Sequence, residues 1–211
     1  RLWTENSFFK KYNLFPDYLE YLGKKNLFDK LCIMIFKKQI NKKNKSVTLF
    51  KQNTNAIASI LSVYIVSKDK IYRDLIYNWY KSLKKYLQNE NYLFINNWSK
   101  NEKGLWEASN AQLVDLLCDF HFYLKDEYFV FEAEKIANEL IKKIDKFHML
   151  PSTEKSDKAH CDQQVDFAVA LIKLYKLTKN EKYLNNSIII MSSIKKYFYK
   201  KYGIVEYVNI Y

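Results

Sequence analysis

The sequence predicts an all-α protein built from antiparallel helix hairpins that lie in two layers. A segment of related pattern begins at Ser59, again at Leu116 and again at Ala170, with offsets of 57 and 54 residues. Apolar residues recur at spacings of three and four within these repeats, as they do on the faces of helices. The chain also has only three glycines and two prolines, which leaves few residues for the tight reversals of an all-β fold.

The first helix of each repeat is predicted over residues 56–66, 111–124 and 165–177. Apolar residues cover nearly its whole circumference, so we expect it to be buried on all sides. A short polar turn follows each of these helices. The three turns are Lys68-Asp69, Lys125-Asp126 and Lys179-Asn180.

The second helix of each repeat is predicted over residues 71–87, 127–147 and 182–198, and it carries a single apolar stripe. We expect Trp79, Ile136 and either Ile190 or Met191 to point inward, with Lys and Asn facing water. Fully buried helices that alternate with half-buried ones indicate an inner and an outer layer. This pattern is typical of a toroid or a curved solenoid and differs from a four-helix bundle, in which every helix is half exposed.

The domain prediction is a single α/α-hairpin domain over residues 1–211. Residues 1–50 form an irregular helical cap, with helices over 16–22 and 27–40, and residues 51–211 hold the three hairpin repeats. A Lys- and Asn-rich linker over 37–45 separates the two parts, and such charge runs are usually solvated loops.

Composition narrows the class of partner and the compartment. The net charge is +12, yet the cations include only two arginines, Arg1 and Arg73, so we expect a generic basic surface and no nucleic-acid partner. The positive net charge is also compatible with an acidic substrate such as a uronic acid. No apolar run has the length of a membrane span, and three cysteines do not suggest a disulfide framework. These features predict a cytoplasmic protein, although a chain that begins at Arg1 is also compatible with an upstream signal.

A candidate site is predicted at one end of the hairpins. The inner-to-outer turns are short, whereas the connections over 88–109 and 148–160 are long. Because the hairpins stack in parallel, both long connections should emerge at the same end. The inner helices should begin at that end, near Asn55, Asn110 and Asp162, with Lys68, Lys125 and Lys179 at the other.

The residues of these connections favour a sugar ligand. Trp98, Trp106 and Glu107 lie in the first, and His160 precedes Asp162 in the second. Aromatic rings cover the C–H face of a pyranose, and carboxylates accept its hydroxyls or exchange protons with it. A simpler interpretation stays open, in which Ser109 and Asp162 are N-caps and the two tryptophans fill the rim.

Asp166 is a more unusual carboxylate because it lies inside an apolar helix, one turn after Asp162 on the same face. Asp115 and Asp119 form a similar pair in the preceding inner helix, either as part of a site or as a satisfied polar seam. Cys118 with His121 and His160 with Cys161 match no closed zinc motif, so we expect neither a metal nor a cofactor.

Residues 166–184, followed by Tyr202-Gly-Ile-Val-Glu206, resemble the helix-pair signature of the (α/α)6-toroid superfamily. That superfamily includes six-hairpin glycosidases, unsaturated glucuronyl hydrolases and N-acylglucosamine 2-epimerases. The second repeat, which ends at residues 131–137, is similar, so the resemblance covers about residues 54–206. A complete ring has six hairpins, and this chain has three clear ones. A longer protein, a second chain that completes the ring, and an open arc are all compatible with that difference.

The resemblance implies a carbohydrate-active protein, and a glycoside hydrolase is the first hypothesis. Glu107, Asp162 and Asp166 are its predicted catalytic carboxylates, acting as general acid and base, and Trp98, Trp106 and His160 are its predicted substrate-binding residues. The alternative hypothesis is a noncatalytic helical-repeat scaffold that binds a protein or an acidic polymer. Carboxylates along the inner face would favour the enzyme, and an apolar inner face would favour the scaffold.

Overall fold

The computed structural model describes residues 50–95, 107–153 and 156–210 of the chain. Six helices lie within these residues. They are α1 (Phe50–Ser67), α2 (Lys70–Leu87), α3 (Glu107–Leu124), α4 (Glu127–Ile141), α5 (Cys161–Thr178) and α6 (Glu181–Tyr197). The predicted cap helices over 16–22 and 27–40 lie outside the described residues.

Each helix pair forms an antiparallel hairpin, and the hairpins stack side by side. Helix α3 packs against α1 and α5, while α2, α4 and α6 each pack on the inner helix that precedes them. Helices α1, α3 and α5 therefore form one layer, and α2, α4 and α6 form the other, as the sequence predicts.

The turns inside the hairpins follow one design. The last residue before each outer helix is a side-chain N-cap that accepts a hydrogen bond from the backbone N–H two residues later. The residue before each cap has a left-handed φ between 55° and 59°. The left-handed residues are Lys68, Lys125 and Lys179, and the caps are Asp69, Asp126 and Asn180. The predicted turn positions are confirmed.

Contacts between aromatic rings connect the two layers in the core. Trp79 of α2 meets Phe120 of α3 edge to face, with ring centroids 6.3 Å apart, and Phe120 meets Phe129 of α4 at 5.1 Å. Trp79, Ile136 and Ile190 are buried, as expected of the inward face of an outer helix. Met191 is 45% exposed, so the alternative inward position in α6 is wrong.

Two sequence predictions need correction. Helix α4 ends at Ile141 rather than near residue 147, because Asp145 organises a loop there. The inner helices are also not buried on all sides, since Val66 is 76% exposed, Phe122 56% and Val169 43%. An apolar circumference predicts what a helix can bury, but whether each face has a neighbour is decided by the arrangement of the hairpins.

Glu132 joins two outer helices through a buried ionic network. Its side chain is 2% exposed. The Tyr80 hydroxyl and the Lys84 ammonium donate to its Oε2, and Lys135 Nζ donates to its Oε1 at 3.1 Å. Burial alone raises the pKa of Glu132, but the hydrogen bonds from Lys84, Lys135 and Tyr80 outweigh burial and lower the pKa below its usual value.

We expect Glu132→Gln to lower the free energy of unfolding by about 2 kcal/mol at neutral pH, because it removes charge-assisted hydrogen bonds. The folded state lowers the pKa of Glu132, so its contribution is complete above the unfolded-state pKa and is lost as the pH falls through the folded-state pKa. Urea denaturation at neutral and acidic pH checks this, and the deficit of the variant should shrink in acid.

Asp74→Asn is the matched control, because Asp74 pairs with Lys70 at 2.8 Å on the exposed face of α2. Its effect should stay within about 0.5 kcal/mol at both pH values. A Glu132→Gln deficit that persists undiminished in acid would contradict the assignment of an ionised Glu132.

Candidate functional site

The same tight loop follows α2 and α4. In the first, Asn89 Oδ1 accepts hydrogen bonds from the backbone N–H groups two and four residues later, both at 3.0 Å. In the second, Asp145 Oδ1 does the same at 2.9 and 2.8 Å. Tyr92 and His148 occupy equivalent left-handed positions, with φ of 61° and 60°. Helices α2 and α4 therefore both end in a fixed reversal, and the chain turns back toward the inner layer.

Two buried amide side chains hold these loops against the inner helices. The Phe94 N–H donates to Asn110 Oδ1 at 2.8 Å, and Asn110 Nδ2 donates back to the Phe94 carbonyl at 2.9 Å. Gln164 makes the same pair of bonds with the Leu150 backbone, at 2.8 and 2.7 Å. Asn110 and Gln164 are both fully buried. We refer to these two residues as the amide clamps.

Sequence reasoning did not identify the amide clamps, although a signal was present. Each is a polar amide in the first turns of an otherwise apolar inner helix, and the two are one repeat apart. A buried amide must find partners for both its donor and its acceptor. A loop backbone, with one N–H and one C=O, supplies both.

We expect Asn110→Ala to destabilise the protein by about 3 kcal/mol, because it removes both hydrogen bonds from the buried Phe94 backbone. Hydrogen exchange at the Phe94 amide should accelerate more than in the rest of the core. Asn91→Ala, on the exposed side of the same loop, is the control and should change stability by less than about 0.5 kcal/mol. Unaltered protection of the Phe94 amide in Asn110→Ala would show that the clamp does not hold the loop.

A small β-ribbon lies at the N-terminus of α5. Strand β1 (Lys158–His160) pairs antiparallel with β4 (Tyr207–Asn209), while β2 (Tyr199–Lys200) and β3 (Gly203–Ile204) form a hairpin after α6. The Cys161 N–H donates to the Glu206 carbonyl at 2.8 Å, which satisfies the first N–H of α5. The chain after the third outer helix thus returns to the start of the third inner helix.

The predicted N-cap roles of Ser109 and Asp162 are wrong. Ser109 is the third residue of α3, and Asp162 is the second residue of α5. His160 occupies the N-cap position of α5 and makes no side-chain capping bond. The Glu206 carbonyl provides an alternative partner, which the local sequence around α5 does not reveal.

His160 and Asp162 both lie at this end of the hairpins. The His160 ring packs against Tyr207, with ring centroids 5.7 Å apart, and Lys158 Nζ lies 4.6 Å from the Tyr207 centroid. Asp162 is exposed, and its Oδ1 accepts a hydrogen bond from the Gln163 N–H at 2.9 Å. An imidazole, a phenol and an exposed carboxylate therefore lie at the start of α5.

Glu107 is the first residue of α3, which places it at the same end, but its side chain lies outside the described residues. Trp98 and Trp106 also lie outside them. The roles assigned to these three residues stay predictions.

A polar ladder links α3 to α5 on the inner face. Gln112 Nε2 donates to Asp166 Oδ2 at 2.9 Å, near the start of both helices. One to two turns further on, Lys173 Nζ lies 2.9 Å from Asp115 Oδ1 and 2.8 Å from Asp119 Oδ1. We call these five residues the inner ladder.

The inner ladder is partly open to solvent. The side chains of Asp115, Asp119 and Lys173 are each about one-third exposed. Burial raises the pKa of Asp115 and outweighs the opposing effect of Lys173. Burial alone lowers the pKa of Lys173, but its bonds to Asp115 and Asp119 reverse that effect and raise it. The ion pairs of Asp115 and Asp119 with Lys173 are compatible with a polar seam and with a binding site.

Burial disfavours the thiolate form of the two thiols in the described residues, which is the form that acts as a nucleophile. Burial raises the pKa of Cys118 to about 12, and it also raises the pKa of Cys161. His121 Nδ1 lies 3.2 Å from the Asp126 carbonyl, at the turn end of α3. Across residues 50–95, 107–153 and 156–210, no three His, Cys, Asp or Glu side chains are grouped as metal ligands.

The helices of the described part of the chain are also too short or too polar to cross a membrane.

Comparison with solved structures identifies the architecture. A family 76 α-mannanase from Bacteroides thetaiotaomicron matches with a TM-score of 0.71 and 12% identity, over 86% of this chain and 56% of its own. A D-mannose isomerase matches with a TM-score of 0.65 and 11% identity, over 77% of this chain and 45% of its own. The unsaturated glucuronyl hydrolase of Bacillus sp. GL1 matches with a TM-score of 0.63 and 9% identity, over 76% of this chain and 49% of its own.

This chain has the (α/α)-toroid fold. The fold expected from the resemblance is confirmed. The chain spans about half the length of the solved toroids that it matches. No family model matches the sequence, and no curated protein is similar to it in sequence. The likeness to solved structures concerns the fold, and the chemistry must be argued from the residues.

Proposed function

We propose that the chain is part of a carbohydrate-active toroid protein that acts as a glycoside hydrolase, with its substrate at the inner face near the start of α3 and α5. The observation that carries the proposal is the Asp166 carboxylate. It lies half-buried on an apolar inner helix, is oriented by the Gln112 amide at 2.9 Å, and is one turn from the exposed Asp162. The matched toroids include glycoside hydrolases and sugar isomerases, which supports a sugar as the substrate class.

The proposed chemistry requires two carboxyl groups on opposite sides of a glycosidic bond. One, as the acid, donates its proton to the leaving oxygen while the bond from that oxygen to the anomeric carbon breaks. The other, as a carboxylate, removes a proton from the water that attacks the anomeric carbon. Glu107, Asp162 and Asp166 are the proposed carboxyl groups, and His160, Trp98 and Trp106 are proposed to contact the sugar.

The second candidate function is a noncatalytic scaffold, and one observation favours it. The turn end of the inner face is apolar, with Val66 76% exposed and Phe122 56% exposed. Such side chains suit a protein partner better than a sugar. The carboxylates of the inner ladder disfavour an acidic polymer on the same face, because like charges repel there.

The glycosidase hypothesis is tested with Asp166→Asn and Glu107→Gln, assayed on mannan and glucuronide oligosaccharides. We expect kcat/KM to fall by at least about a hundredfold in each variant, because general acid or base catalysis is lost while the shape is kept. Asp74→Asn, which changes a carboxylate on the outer surface, is the control and should retain full activity. Thermal unfolding confirms that the variants are folded.

Full activity in both Asp166→Asn and Glu107→Gln would contradict these assignments. If the protein turns over none of the glycans but binds a protein ligand, the scaffold function is favoured.

A further inference from the structure

A cluster of exposed aromatic rings and lysines lies on the outer surface of the first two hairpins. Phe131 is 57% exposed, Tyr92 43% and Tyr128 42%. Lys135 Nζ lies 4.1 Å from the centroid of the Phe131 ring and 5.1 Å from that of Tyr92. Lys84 Nζ lies 5.5 Å from the centroid of Tyr128. Because Tyr128 and Phe131 are one turn apart on α4, these five residues form one surface, which we call the outer patch.

The exposure of the outer patch does not come from an end of the chain. Helix α4 has a neighbour on either side: Glu132 binds Lys84 of α2, and Asn138 Oδ1 accepts a hydrogen bond from Lys182 of α6 at 2.9 Å. Helix α3 packs on its inner face. Tyr128 and Phe131 therefore lie on the remaining, outward face. Further hairpins would extend the two layers at their ends and would leave this face uncovered.

The two lysines of the outer patch share one carboxylate. Lys84 donates to Glu132 and to the Tyr128 hydroxyl, and Lys135 donates to Glu132. A lysine ammonium group has three N–H donors, so both lysines can donate to a ligand without breaking these bonds. Two ammonium groups and one carboxylate leave a net charge of +1, and residues 77–88 of α2 contain two further lysines and no Asp or Glu. The charge of the surface is therefore complementary to an anion.

The rings of the outer patch are held in place before a ligand binds. Gln88 Nε2 donates to the Tyr92 carbonyl at 3.1 Å, at the left-handed position of the loop after α2. Tyr128 packs edge to face on the buried Tyr80, with ring centroids 6.0 Å apart. A ligand does not have to order these side chains, which lowers the entropy cost of binding.

We propose that the outer patch is a noncatalytic binding site for an acidic polysaccharide. The aromatic rings contact the C–H faces of the sugar residues, and Lys84 and Lys135 pair with uronate carboxylates. Tyr128 and Lys135 are seven residues apart, about 10 Å along α4, so the patch can contact consecutive sugar residues. It contains no arginine, which favours a sugar carboxylate over the phosphates of a nucleic acid. The glycan class rests on the proposed function, whereas the acidic character of the ligand rests on the patch itself.

The first test is calorimetric titration of the purified chain with polygalacturonate at low ionic strength. Phe131→Ala and Tyr92→Ala should each raise the dissociation constant at least about tenfold, because each removes a ring that a sugar residue covers. Phe122→Ala is the matched control and should bind as the wild type does. Phe122 is 56% exposed and also has a lysine over its ring, Lys125 at 4.6 Å, but it lies on the inner helix α3.

A wild-type chain that does not bind polygalacturonate overturns the proposal. Dissociation constants that stay unchanged in both Phe131→Ala and Tyr92→Ala overturn it as well, because the polymer then binds elsewhere.

The second test concerns the charge of the ligand. Lys135→Met should weaken polygalacturonate binding about tenfold, and Lys135→Arg should retain it, because the arginine restores the cation and its contact with Glu132. Thermal unfolding confirms that both variants are folded. Affinity for polygalacturonate should fall as salt is added. Equal affinity for neutral mannan, or tighter binding of oligothymidylate, overturns the assignment to an acidic polysaccharide.

The third measurement separates the outer patch from the proposed catalytic site. Asp166→Asn should lose hydrolysis and still bind polygalacturonate with the wild-type dissociation constant. Binding through the patch without hydrolysis of any glycan would contradict the proposed function alone. Hydrolysis of a glycan without binding through the patch would contradict the present proposal alone.

Discussion

The short left-handed turn between each inner and outer helix is the constraint on which the rest of the structure depends. Lys68, Lys125 and Lys179 each begin a two-residue turn, and the side-chain cap that follows starts the next helix. The two helices of a pair must then pack along their whole length. The connections from each outer helix to the next inner helix therefore lie at the opposite end, where the amide clamps and the β-ribbon hold them. The candidate site is located at that end for this reason.

Two ionic networks within the described residues use similar side chains with different results. Glu132 is 2% exposed between outer helices, and two lysines and a tyrosine surround it, so its charge is neutralised and its role is to join the helices. Lys173 is about one-third exposed on the inner face, where it holds two aspartates. A network that solvent reaches can exchange its partners for a ligand at lower free-energy cost than a buried one. The inner face is therefore the better candidate for binding.

The sequence alone determined the helix pairs, their turns and their layers, because hydrophobic periodicity and capping residues are local properties that act within one or two helical turns. It also selected Asp166, since a carboxylate in an apolar helix is visible without coordinates. It did not reveal that Gln112 orients Asp166 or that Asn110 and Gln164 hold the loops. It also did not reveal that the backbone carbonyl of Glu206, rather than a side chain, accepts the hydrogen bond from the first N–H of α5. Nor could it show that Met191 and Val169 face outward. These features depend on contacts between segments that are 14 to 54 residues apart in the chain. Tertiary packing decides them, because the geometry of neighbouring hairpins determines which polar groups find a partner and which apolar faces are covered.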